Sequence, residues 1–113
     1  MQKAMLPINS RVFRKFNLKE VLYLKAQGNY TILHRENGET LILSVLLKQL
    51  EQKLAKKGFY RLNRSYLINL NHVVEYHPWQ ESRVVMSDGS SLEIPRRRKQ
   101  AFRKFMEASY THL

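Results

Sequence analysis

The chain has 113 residues, 43% of them apolar, and a formal charge of +11 from 20 Lys and Arg against 9 Asp and Glu; it contains no cysteine. One domain with its own core, spanning 1–113 with its centre at about 10–108, is expected from that length and composition, and the missing cysteines exclude disulfide frameworks, thiolate zinc centres and cysteine nucleophiles. Positive charge on this scale opposes compactness and is usually retained for a polyanionic partner, whether nucleic acid, anionic membrane surface or acidic protein.

Residues 1–10 carry one Lys and a Pro with no sustained apolar segment, so no export signal is read there. The longest apolar stretch, residues 41–47, is interrupted by Ser44 and is far shorter than a membrane span of ~20 residues. A cytoplasmic protein with no membrane partner is expected.

In chain order, residues 11–16 and 21–25 carry strand character, the second as Val-Leu-Tyr-Leu-Lys. Gln27-Gly28-Asn29 breaks that pattern, residues 30–34 resume it, and Asn37-Gly38 is a hairpin turn leading into a strand over 41–43. At Ser44, a good N-cap, the period changes: Leu47, Leu50 and Leu54 recur at helical spacing, and Gly58 supplies a left-handed C-terminal cap. Short apolar pieces at 59–62 and 66–68 flank Asn63-Arg64-Ser65. Strands over 73–76 and 83–86 are joined by His77-Pro78-Trp79-Gln80, and Asp88-Gly89 turns into a strand over 92–94. Pro95 then opens a helix over 96–108 with Ala101, Phe102, Phe105 and Met106 on one apolar face. The order is β-β-β-β-α-β-β-β-β-α, mainly β with two short helices.

Three polar segments interrupt this pattern. Arg96-Arg97-Arg98-Lys99 falls in the first turn of the predicted helix, where positive charge opposes the macrodipole and a bound phosphate would relieve it; the alternative is a solvated basic turn. In Arg61-Leu62-Asn63-Arg64-Ser65, alternation sends Leu62 inward and Arg61 and Asn63 outward. Arg can grip guanine, Asn adenine, and Ser a phosphate, or Asn63 and Ser65 are turn formers bonded to nearby backbone. Gln27-Gly28-Asn29 offers amides on a turn, with Tyr30 able to stack or bond phosphate, or is a plain hairpin. His34, His72, His77 and His112 show no metal-ligand spacing and are read as surface or structural, and no cofactor is expected.

Taken together, Val21-Leu22-Tyr23-Leu24-Lys25-Ala26-Gln27-Gly28-Asn29-Tyr30, the Leu46 to Leu54 helix, Phe59-Tyr60-Arg61-Leu62-Asn63-Arg64-Ser65-Tyr66-Leu67-Ile68-Asn69 and Ile94-Pro95-Arg96-Arg97 closely resemble the LytTR family of bacterial DNA-binding domains. The resemblance covers nearly the whole chain. It implies an elongated antiparallel β-sheet fold whose loops enter successive major grooves of duplex DNA. It also implies binding to promoter direct repeats, as a homodimer or as paired monomers, in the output half of a two-component response regulator. Base contacts would fall at or near Asn29, on Arg64 and on Arg96. Tyr30, Arg61, Asn63, Ser65, Arg97, Arg98 and Lys99 would hold phosphate or support the loops. Two departures stand out: Asn63 where the family usually has His, and Pro95 where it usually has Ser, which removes a hydroxyl and an N–H. The family's usual upstream receiver or sensor has no room here, so a stand-alone regulator or an excised output domain is expected.

Two other classes compete. An RNA-binding β domain would use Tyr23, Tyr30, Tyr60 and Tyr66 as stacking platforms; a basic protein-interaction module would explain the charge but not the three polar segments. An enzyme is not expected, because paired carboxylates, a nucleophile with its base, and a Gly-rich phosphate loop are all missing from the pattern.

Overall fold

A computed structural model describes residues 5–6 and 17–110. The strand expected over 11–16 lies outside the described residues. Among the described residues nine strands form two sheets: β1 (Met5–Leu6), β2 (Val21–Gln27), β3 (Tyr30–Arg35), β4 (Thr40–Leu43), β5 (Phe59–Arg61) and β6 (Tyr66–Asn69) make the larger, in the order β1-β4-β3-β2-β6-β5. The smaller is β7 (Val73–His77), β8 (Arg83–Met86) and β9 (Ser91–Glu93) in sequence order. Every pairing is antiparallel except β1 with β4. The expected antiparallel sheet is thus divided in two, and the molecule measures 37 × 29 × 25 Å.

Each face of the large sheet is covered by a different layer. On one face Leu47, Leu50 and Leu54 of helix α1 (Leu47–Leu54) pack on Val21, Leu24, Leu33, Leu43, Phe59 and Leu67. On the other, Leu22, Tyr23, Leu62 and Ile68 meet the inward side chains of β8 and β9 together with Phe102 and Met106 of helix α2 (Lys99–Tyr110). A register shift between Val21 and Tyr23 explains how β2 serves both layers: Leu22 and Tyr23, neighbours in sequence, join the same cluster, as a β-bulge allows.

Two helix starts differ from the sequence reading. Ser44 does not cap α1; Thr31 Oγ1 donates to the Val45 carbonyl at 2.8 Å, Leu46 stays extended, and Gln49 Oε1 accepts from the Leu46 N–H at 3.1 Å. The second helix begins at Lys99, because residues Arg96–Arg98 form a tighter 3-10 turn closed by Arg98 N–H on the Pro95 carbonyl at 2.8 Å. Its predicted apolar face is narrower as well. Phe102 and Met106 are buried, Ala101 is exposed, and Phe105 stays partly in solvent, tilted against Tyr60 at a centroid distance of 4.5 Å. Buried Asn69, which no sequence pattern marked, ties the entry of β2 to β6 by donating to the Val21 carbonyl at 2.9 Å.

Candidate nucleic-acid interface

The turn joining β2 to β3 is built on Gly28, whose φ of 59° is a left-handed conformation that side-chain-bearing residues rarely adopt. Gln27, Asn29 and Tyr30 are all exposed there. The pairing of β2 with β6 continues past Lys25 and Tyr66, since the Ala26 N–H donates to the Ser65 carbonyl at 2.8 Å. This bond sets the β2–β3 turn beside the β5–β6 turn.

Leu62, fully buried, anchors the β5–β6 turn, and the polar residues around it divide by role. Asn63 folds inward: its Oδ1 accepts from the Ser65 N–H at 2.8 Å and the Tyr66 N–H at 3.0 Å, while its Nδ2 donates to the Glu93 carbonyl at 3.0 Å. Of the two readings left open for this side chain, the backbone-bonded turn former is the one observed. Arg61 is also occupied. It donates to the carbonyls of Asn63 at 2.8 Å and Arg64 at 2.7 Å and pairs with Glu51 of α1 at 3.0 Å. Arg64, raised on the carbonyls that Arg61 holds, is exposed, and among the described residues its guanidinium has no partner.

The third segment is wired to the second. Besides the Asn63 bond to Glu93, Arg98 Nη1 donates to the Arg61 carbonyl at 2.9 Å. Arg98 is therefore a half-buried strut, with Lys99 also half-buried, whereas Arg96 and Arg97 are exposed and unpaired among the described residues. The four cations belong to the 3-10 turn and the first position of α2, not to a single α-helical turn as the sequence suggested. Segments far apart in the chain thus meet on one ridge at one end of the large sheet. Asn29, Arg64 and Arg96 are its free polar tips; Arg61, Asn63 and Arg98 lock it together.

Lys25 belongs to this ridge and was missed. Its ammonium lies 5.8 Å from the centre of the Tyr66 ring, directly across the β2–β6 pairing; the signal was present in the sequence only for someone who already knew which strands pair. The stacking-platform alternative loses three of its four rings. Tyr23 is buried, stacked on His34 at 4.5 Å with its hydroxyl 3.3 Å from Ser90 Oγ, and burial pushes that hydroxyl's pKa up. Tyr66 is edge-on to Tyr23, and Tyr60 lies against Phe102 and Phe105. Only Tyr30 presents its ring, at 42% exposure. Among the described residues no three His, Asp or Glu side chains gather as metal ligands, and no helix is long and apolar enough to cross a membrane.

Comparison with known proteins gives consistent results. The family model described as the LytTr DNA-binding domain matches residues 11–107. The sensory transduction protein LytT of Bacillus cereus is 29% identical over 109 residues, covering 94% of this chain and 43% of that protein. The CO-responsive transcriptional regulator RcoM of Rhodospirillum rubrum is 32% identical over 84 residues, 74% of this chain and 35% of that protein. The chain thus spans less than half the length of these relatives. Among solved structures, the LytTr DNA-binding domain of a putative methyl-accepting/DNA response regulator from Bacillus cereus superposes with a TM-score of 0.72 at 26% identity, covering 80% of this chain and 84% of that one.

Proposed function

Because the chain belongs to the LytTr DNA-binding domain family, we propose that it binds duplex DNA sequence-selectively through the ridge, as the output element of a bacterial transcriptional regulator in the cytoplasm. One observation carries this reading. Among the described residues Arg64 and Arg96 project unpaired from turns that Arg61, Asn63 and Arg98 hold rigid, as a preorganised reader of base edges requires. Asn29, Arg64 and Arg96 read bases. Tyr30, Ser65, Arg97 and Lys99 meet phosphate, and Arg61, Asn63 and Arg98 support the turns. The departure at Asn63 then concerns the internal wiring of the turn, since its amide faces the backbone.

The longest dimension of 37 Å is comparable with one helical turn of duplex, ~34–36 Å. That size supports contacts with successive major grooves, and binding to direct repeats would place two such domains, as a homodimer or as paired monomers, along one promoter. Neutralising ~6–10 phosphates makes affinity fall steeply with salt. Titrating a labelled duplex across a salt series tests the proposal. Salt-insensitive affinity, or tighter binding of single-stranded RNA throughout, would overturn it.

A further inference from the structure

The ridge does not stop at Arg96. Ser82, buried, accepts from the Ile94 N–H at 2.8 Å through its carbonyl, which fixes the loop between β7 and β8, residues 78–82, one residue from Pro95 and two from Arg96. Arg83, the first residue of β8, lies opposite Glu93 in the β8–β9 pairing, and Glu93 is the residue whose carbonyl receives Asn63. The loop is thereby tied to the segment that leads into the basic turn, beside the β5–β6 turn, and among the described residues no hydrogen bond ties it to the β2–β3 turn.

Three features of the loop call for an occupant. Trp79, the sole tryptophan of the chain, is 67% exposed. It is held in place, because the guanidinium of Arg103, one helical turn beyond Lys99 on α2, lies 5.3 Å from the centre of its ring. Glu81 adopts a φ of 41°, a left-handed conformation uncommon outside glycine, and Arg83 Nη1 lies 3.4 Å from its carbonyl. An exposed indole with the Arg103 guanidinium over its ring, on a loop whose Glu81 carbonyl draws in Arg83, is suited to an anionic partner with an apolar face.

We propose that this loop is a fourth DNA contact, in which Trp79, Arg83 and Arg103 hold the sugar–phosphate backbone of the duplex that flanks the bases near Arg96. This rests on the duplex-binding reading above. The deoxyribose meets the ring, and phosphate oxygens meet the two guanidinium groups and the indole N–H. The tie to the segment before Arg96 gives the contact a direction: it lies on the Arg96 side of the site and not on the Asn29 side.

The test uses the whole chain and three duplexes that share one selected site: the core alone, the core extended on the Arg96 side, and the core extended on the Asn29 side. Label anisotropy reports core binding, and acrylamide quenching of Trp79 fluorescence reports the loop. Extension on the Arg96 side should shield Trp79 from acrylamide and tighten binding; the other extension should do neither. Trp79→Ala should abolish the gain from extension while leaving the affinity for the core duplex unchanged. Arg83→Ala should lower the magnitude of the salt slope by about one on the extended duplex only, and Glu81→Gln, by removing an acid beside phosphate, should tighten that complex. If all duplexes bind and Trp79 is equally quenchable on each, the fourth contact is wrong while the ridge stands. If shielding follows the Asn29-side extension, the proposed direction is wrong. If no duplex binds, both proposals fall.

Discussion

Arg64 and Arg35 carry the same guanidinium at opposite ends of the large sheet, and the molecule uses them in opposite ways. Arg35, at the far end of β3, is clamped between Glu20 at 2.7 Å and Glu39 at 2.8 Å, and both carboxylates help keep its pKa raised. The same end gathers Glu36 and Asp88, and His72 there bonds the Lys19 carbonyl at 2.5 Å and lies 2.8 Å from Ser87 Oγ. At the ridge, Glu51 is spent on Arg61, and Arg64, Arg96 and Arg97 are left without carboxylate partners among the described residues. A net charge of +11 therefore says little by itself. What matters is where the acids sit: Glu20 and Glu39 neutralise Arg35 and Glu51 neutralises Arg61, while Arg64, Arg96 and Arg97 at the ridge keep their charge free among the described residues.

The largest effect expected at the ridge end is on Asn63. Asn63→Ala removes three hydrogen bonds and leaves two backbone N–H groups without their acceptor, which should cost about 1–3 kcal/mol of stability and weaken duplex binding with it. Thermal unfolding and anisotropy on the same variant check both. If stability fell and binding did not, the turn would not need its rigidity to read DNA.

At the opposite end, Arg35→Ala should cost about 0.2–1 kcal/mol for each of these partly exposed pairs, less at high salt, and leave duplex affinity unchanged. Any loss of binding would break the contrast between the two ends. The basic turn should behave in the complementary manner. Lys99→Ala should leave stability intact, weaken preferred and scrambled duplexes about equally, and lower the magnitude of the salt slope by about one.

The smallest effect concerns pH. Burial first, and nearby Lys25 second, lower the pKa of His34, whose Nε2 is buried without a hydrogen-bond partner among the described residues. The folded state thus takes up this proton less readily than the unfolded chain, with its ordinary value of about 6.5. The contribution of His34 is fully present above that value and declines as pH falls below it, toward the lowered folded pKa. His34→Phe should flatten that part of a stability profile, and an unchanged slope would show that another group is responsible.

How much of this was legible in the sequence differs between elements for physical reasons. Helix α1 was plain, because Leu47, Leu50 and Leu54 repeat at helical spacing and face a single layer; its first residue was not, because Thr31, distant in sequence, holds Val45 out of the helix. Strand β2 was plain as a strand, while its bulge depends on two layers competing for adjacent residues. For the ridge, residue type pointed to Arg64 and Asn63 alike. Only the fold separates them, since Asn63 is turned inward by Glu93 and by the N–H groups of Ser65 and Tyr66. The Trp79 loop, read as a simple connection, acquires meaning from the Ser82–Ile94 bond, which no local pattern encodes.

The central claim is that Arg64 reads a base and does not merely attract phosphate. The most direct measurement compares wild type, Arg64→Ala and Arg64→Lys on a selected duplex and on a scrambled one of the same length, with circular dichroism confirming the fold. The account predicts a loss of about 1–3 kcal/mol for Arg64→Ala on the selected duplex, a smaller loss on the scrambled one, and relaxed preference at one base position. Lysine should fail to rescue it, because an ammonium lacks the planar fork. Equal losses on both duplexes, or full rescue by lysine, would contradict the account and leave Arg64 as one more phosphate contact.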